Sequence, residues 1–266
     1  MAAGLLPGSA RAAYNCSISS GGIMVAYSPN VAGNTVMQTS FTIACTRALS
    51  DASTMSYSVN ADNGANAQGT HNRAAFGGSR LAYDLFKDSA CGSQWRGPQA
   101  IAGTLDFSGG TSASTSVAFW GCVTSGQNVP AGTYSDSVAM SLAYGSPQAT
   151  ASGVIPVSIS TPAQCNLSTA PGDVVFNYTG FGAAANASTS FGVTCSTYLP
   201  YTMALDATSG TLLGLSYTLA LSASSSTGRG AEQTFTISGT IPAGQSGTCG
   251  SGSCTASQAR TLTITY

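Results

Sequence analysis

The sequence predicts an all-β protein built as two immunoglobulin-like β-sandwich domains in tandem, the second lacking its last strand. Three observations carry that reading. Charge is scarce, with 8 Lys+Arg and 9 Asp+Glu in 266 residues, while Gly (32), Ser, Thr and Ala abound. Amphipathic helices need a charged outer face, so this composition favours short strands and tight turns. Next, Tyr134, Asp136, Val138, Met140, Leu142 and Tyr144 alternate with small residues behind a turn punctuated by Gly126, Pro130 and Gly132. Finally, a degenerate copy of that unit closes the sequence, where Ile241, Pro242, Ala243, Gly244 and Gln245 lead towards Leu262, Ile264 and Tyr266 on one face. The formal charge of -1 offers no electrostatic footprint for nucleic acid or an anionic membrane.

Residues 1–12 read as the remnant of an export signal. Leu5 and Leu6 are apolar and Ala10-Arg11-Ala12 supplies small residues around a cleavage position, but the basic start of a working signal is missing. Cleavage there leaves two or three residues before Cys16. No other window is long and apolar enough to span a bilayer, so no transmembrane segment is expected and the protein is exported.

The first domain is expected over 13–160. Ile23 to Tyr27 form a short apolar run, and Phe41, Ile43 and Cys45 alternate with small polar residues as a half-buried strand. Met55, Tyr57 and Val59 form the next strand. Residues 60–80 read as a long polar loop, and Leu81 to Asp88 resume the alternation. At 149–160 a further strand puts Ile155, Val157 and Ile159 on one face, sealing the first domain with a strand of its own and tolerating Pro156 as an edge would. The second domain, 161–266, repeats these signals: Phe191, Val193 and Cys195 match Phe41, Ile43 and Cys45, Tyr201, Met203 and Leu205 match the following strand, and Leu215 to Leu219 match the one starting at Leu81. Nothing comparable to 149–160 follows Tyr266. A sandwich short of a strand exposes core side chains and unpaired backbone groups, which calls for a partner strand.

Eight cysteines suggest four bridges formed in an oxidising compartment. Cys16 with Cys45 and Cys165 with Cys195 recur once per half, each closing a loop worth about 3–4 kcal/mol in the chain-entropy model. Cys91 with Cys122 and Cys249 with Cys254 complete the set. No C-x-x-C occurs and His71 is the single histidine, so neither a metal nor a cofactor is expected.

Sharper chemistry is outweighed by plainer readings. His71 lacks a Gly-x-Ser-x-Gly context, so no catalytic residue is assigned and the chain is not read as an enzyme. Asp84, Asp88, Asp106 and Asp136 sit at strand and turn positions of a repeated motif, which favours structural hydrogen bonding over a glycosidase pair. Gly77-Gly78-Ser79-Arg80 lacks the Lys-Ser/Thr of a phosphate loop. Trp95 reads as core. Phe76, Ile101, Leu105 and Phe107 fall in stretches peculiar to the first domain; exposed together they would form an adhesive apolar patch, and as buried anchors they would not.

The chain resembles two tandem spore coat protein U domains, the module of archaic chaperone-usher pilus subunits. The resemblance rests on Leu81-Ala82-Tyr83-Asp84-Leu85-Phe86 with Asp88, Trp95 and Gly97, on Gly126 to Asp136, and in the second half on Cys165, Cys195, Leu215 to Leu219 and Ile241 to Gln245. The second half departs from the pattern at Gly247 to Cys254. The resemblance implies an incomplete pilin-type second domain filled by donor-strand complementation, with a periplasmic pilus chaperone, an outer-membrane usher and the next pilin subunit as partners. Its groove is expected to be lined by Leu262, Ile264 and Tyr266, facing Phe191 and Val193. The first domain then meets a surface or host receptor, and the short start before Cys16 suits a tip adhesin on a cell-surface pilus. The alternative is a non-polymerising secreted spore or envelope coat protein. Neighbouring reading frames for a chaperone and an usher would separate the two.

Overall fold

The computed structural model describes residues 14–29, 31–250 and 252–266. The export-signal reading of residues 1–12 lies outside them. All regular structure among the described residues is β-strand, and the chain divides into two compact units. The first runs to Gln127 and resumes over Gly132–Pro162; the second takes Asn128–Ala131 with Ala163–Tyr266. The boundary falls after residue 160 because the last strand of the first unit continues to Thr161, which is buried.

The first unit contains β1 (Asn15–Ser20), β2 (Ile23–Ala26), β3 (Thr35–Thr46), β4 (Thr54–Ala61), β5 (Asn72–Phe76), β6 (Ser79–Phe86), β7 (Ile101–Asp106), β8 (Ser112–Val123), β9 (Gly132–Tyr144) and β10 (Ala149–Thr161). One layer is ordered β1-β3-β8-β6-β5 and the other β7-β4-β9-β10-β2, joined through the single pair Ala75 and Ser135. Strict alternation along β9 and β10 turns Tyr134, Val138, Met140, Leu142, Ile155, Val157 and Ile159 into the core, as a period of two requires. Trp95 is buried among Phe41 and Phe119, with ring centroids at 5.3 and 4.9 Å, and its indole N–H donates to the Val59 carbonyl at 3.0 Å.

The second unit contains β11 (Cys165–Thr169), β12 (Ala185–Cys195), β13 (Pro200–Leu205), β14 (Ser209–Leu212), β15 (Leu215–Leu221), β16 (Ser225–Thr227), β17 (Gln233–Ile241) and β18 (Leu262–Thr265). They form a sheet β11-β12-β17-β15-β14 and a sheet β16-β13-β18. Strand for strand the first follows β1-β3-β8-β6-β5, and β13 and β18 follow β4 and β9. Phe191, Val193, Tyr201, Met203, Phe235 and Ile237 form its core. The four disulfides join Cys16 to Cys45, Cys91 to Cys122, Cys165 to Cys195 and Cys249 to Cys254; the first and third are the pair that recurs in each half.

Several expectations are corrected. The stretch 60–80 is not one loop: β4 reaches Ala61, and β5 and β6 form a hairpin around the two-residue turn Gly77-Gly78, a length suited to strand twist. β10 is not an edge strand, since it pairs with β9 along its length and with β2 from Val157 to Ser160; Pro156 precedes the second pairing. Leu105 and Phe107 are 3% exposed and leave any adhesive patch. Leu105 is on the core face of β7, and Phe107 stacks on Tyr14 at 5.9 Å beneath the Arg47 guanidinium.

Candidate functional site

The site is best built by setting the second unit on the first. In the first unit β2 alternates buried Ile23 and half-buried Val25 with exposed Met24 and Ala26, ends at buried Tyr27, and pairs in parallel with β10. In the second, residues 174–178 keep the alternation, with Val174, Phe176 and Tyr178 packed against the core and Val175 and Asn177 exposed, yet they form no strand. Among the described residues, no strand of the second unit takes the place that β10 has in the first. β9 pairs with β4 on one side and β10 on the other, whereas β18 pairs with β13 and, among the described residues, with nothing on its second edge.

Uncovered apolar surface follows. Ile18 of β1 is 6% exposed beside β10, while Leu167, its counterpart two residues past the matching cysteine, is 46% exposed. Leu262 and Ile264 are half-buried and point to the core, and Tyr266, on the same face by alternation, is 59% exposed. Phe191 and Val193 are fully buried on β12, with the Phe191 ring 5.6 Å from that of Phe235, so they are floor rather than wall. The open edge of β18 and residues 174–178 thus correspond to β9 and β2, the strands between which β10 lies in the first unit, and Leu167, Leu262 and Ile264 are apolar side chains left partly uncovered there.

Two features hold the wall at 174–178 in place. The Tyr178 hydroxyl accepts the Gln245 N–H at 2.8 Å and donates to the Gln245 carbonyl at 3.2 Å, while the Gln245 side chain bonds the Ser216 N–H and carbonyl at 2.7 and 2.9 Å. Tyr27, Gln127 and Ala82 make the same arrangement in the first unit. Phe176 lies over Gly239 of β17, where an added Cβ would stand 2.4 Å from the ring; Ile23 lies likewise over Gly121 of β8, at 2.6 Å. These tyrosines, glutamines and glycines escaped the sequence reading as functional residues, although each glutamine follows a glycine, as Gly126-Gln127 and Gly244-Gln245.

The acidic candidates and His71 are tied into local hydrogen bonds. Asp136 accepts from the Tyr83 hydroxyl at 2.8 Å, the Ala65 N–H at 3.0 Å and the Asn66 side chain at 3.1 Å. Burial first, then the Asp136 charge, push the Tyr83 hydroxyl far above its usual range, so it remains a donor. Asp88 accepts the backbone N–H groups of Ala90, Gly92 and Ser93; those of Gly92 and Ser93 hold its carboxyl below the usual range. Asp106 caps Ser108 at 2.7 Å. His71 is exposed and its Nδ1 lies 2.8 Å from Asp84, which also accepts the Asn72 N–H. Among the described residues no group of three or more His, Cys, Asp or Glu is placed to hold a metal ion. Ile101 is half-buried on β7 and Phe76 is 45% exposed at the end of β5, 5.6 Å from the Tyr134 ring.

The chain aligns at low similarity with solved adhesins. One is the CsuC–CsuE chaperone–tip adhesion subunit pre-assembly complex of archaic chaperone-usher Csu pili of Acinetobacter baumannii, at 16% identity over 95% of this chain and 100% of that one, with a TM-score of 0.49. Another is the CupB6 tip adhesin of Pseudomonas aeruginosa, at 12% identity over 96% of each chain, TM-score 0.40. A third is CfaE, the adhesive subunit of CFA/I fimbria of enterotoxigenic Escherichia coli, at 12% identity over 78% and 85%, TM-score 0.29. No curated protein sequence matches the chain significantly. The Spore Coat Protein U domain profile matches residues 3–141, more than half of the chain and most of the first unit up to β9; the chain belongs to that family.

Proposed function

We propose that this protein is an adhesive subunit of a surface pilus, joined to its fibre by a strand from another polypeptide that enters the groove of the second unit. The observation that carries the reading is the unmatched edge of β18 opposite residues 174–178, at the place where the first unit carries its own β10. A strand there completes the backbone ladder and covers Leu167, Leu262 and Ile264. Each fully buried Val or Ile it brings contributes about 1.5–3 kcal/mol. Before assembly the same edge requires shielding, the task of a periplasmic chaperone, and an outer-membrane usher would then pass the subunit to its neighbour. The first unit, closed by Ile155, Val157 and Ile159, takes no such strand, which leaves it to bind a surface or receptor as a tip adhesin does, with Phe76 the exposed aromatic among its candidate contacts. No helix among the described residues is long and apolar enough to cross a membrane.

The test is hydrogen exchange on the full chain with and without a synthetic peptide of the sequence Ala149–Thr161, the strand that completes the first unit. Slowed exchange confined to residues 174–178 and 262–265 is expected. Unchanged exchange at both segments would sink the reading.

A further inference from the structure

We infer that the turn at residues 179–182, with Phe181 at its tip, is the seat for the folded body attached to the inserted strand, so that the second unit holds its neighbour at two places. The inference rests on the groove reading above and adds a contact outside the groove.

Direction comes from the first unit. There β10 runs antiparallel to β9 and parallel to β2, and it finishes at Thr161 beside Tyr27, whose N–H donates to the Ser160 carbonyl at 2.8 Å. A strand in the second unit with the same relations to β18 and residues 174–178 finishes beside Tyr178. Whatever follows it emerges next to the turn that Tyr178 opens.

That turn is tied down by backbone hydrogen bonds and presents an aromatic ring. Phe181 is 77% exposed and has φ of +58°, a left-handed conformation that is uncommon for a bulky residue. Its N–H donates to the Gln245 carbonyl at 2.8 Å, the Gly182 N–H donates to Thr179 at 2.8 Å, and the Gly244 N–H donates back to Gly182 at 3.0 Å. The turn is thereby tied to the Tyr178–Gln245 pair that holds the groove wall. Backbone strain kept at an exposed aromatic points to a role outside the fold, because the fold gains little from the ring. An aromatic anchor that is already ordered loses little freedom when covered, the property shared by residues that dominate interfaces. The partner is therefore the polypeptide that supplies the strand, and it meets Phe181 with an apolar patch close after that strand ends.

The full chain is expressed in a bacterium that assembles it on its surface, with photoreactive benzoylphenylalanine at position 264 or, separately, at position 181. Both positions should trap the same polypeptide in the surface fraction. Phe181→Ser should lower co-purification of that polypeptide about tenfold, as loss of an aromatic anchor does, while binding of the Ala149–Thr161 peptide to the full chain stays unchanged. If position 264 traps a polypeptide that position 181 does not, or Phe181→Ser retains it in full, the second contact is refuted and the groove stands. If position 264 traps nothing, the groove reading fails and this inference falls with it.

Discussion

The Tyr178 hydroxyl grips both backbone groups of Gln245, accepting the N–H at 2.8 Å and donating to the carbonyl at 3.2 Å. Tyr27 grips Gln127 in the same way at 2.7 and 3.3 Å. The two pairs do equal chemistry under unequal load. β2, which leads into Tyr27, is also held by the ladder of β10, whereas residues 174–178 have the hydroxyl and the side-chain packing alone.

Tyr178→Phe therefore removes one of the two features that fix that wall. Two hydrogen bonds at about 0.5–1.5 kcal/mol each are lost. Exchange at 174–178 should quicken markedly and the Ala149–Thr161 peptide should bind more weakly. Tyr27→Phe, with β10 still in place, should disturb residues 23–27 much less. Equal effects in the two units would show that the ladder adds nothing.

Ile264→Asp places a carboxylate among Met203, Leu262 and the other apolar side chains that border the groove. An ion buried by an incoming strand is strongly disfavoured. The variant should fail to bind the peptide and to co-purify with a pilus chaperone. Thr263→Asp, on the outward face of the same strand, is the control and should bind normally. Circular dichroism of both variants separates lost binding from lost folding.

What was legible in the sequence follows from the range of each interaction. Alternation revealed β9, β10 and β12, because a period of two is written in consecutive residues. Repetition revealed the Cys16–Cys45 and Cys165–Cys195 pairs. The Tyr–Gln pairs were hidden because their members stand 100 and 67 residues apart, and no local pattern links them. Alternation also fails to say which face will be covered, so Leu105 and Phe107 read either as an adhesive patch or as buried anchors; β7 packs Leu105 inward, and Phe107, just after it, lies against Tyr14 and Arg47. Leu167 shows the converse: its pattern is that of a core residue, and only the absence of a strand beside it among the described residues leaves it 46% exposed. Phe181 had a local signal, an aromatic between two glycines.

Asp88 gives the first unit an acid sensitivity of known sign. Backbone N–H groups of Gly92 and Ser93 lower its folded pKa below the unfolded value of about 3.9. A lowered carboxylate pKa contributes stability above the unfolded value and loses it as the pH falls through the folded one. The turn carrying Cys91 should therefore loosen in acid below about pH 4. In Asp88→Asn the N–H groups meet a neutral acceptor, so exchange in residues 88–93 should be faster at neutral pH and change less on acidification. A variant with the wild-type acid response would assign the effect to another group.

Gly239 is the sharpest test of how the groove wall is seated. An added Cβ would lie 2.4 Å from the Phe176 ring, and β17 is held in place by Phe235 and Ile237, which share its core face with Gly239. Gly239→Val should expel Phe176 and cost about 1–3 kcal/mol, as overpacking does, read as a lower urea midpoint for the second unit. Phe176→Ala alone should also destabilise, by removing a ring packed on the core. If the contact is what couples them, the double variant should be more stable than the sum of the two losses predicts, with an interaction energy of about 0.5–3 kcal/mol. Binding of the Ala149–Thr161 peptide should follow the same non-additivity, since both variants act on it through the position of residues 174–178. Strict additivity would mean that Gly239 and Phe176 act independently and that the wall is placed by Tyr178 alone.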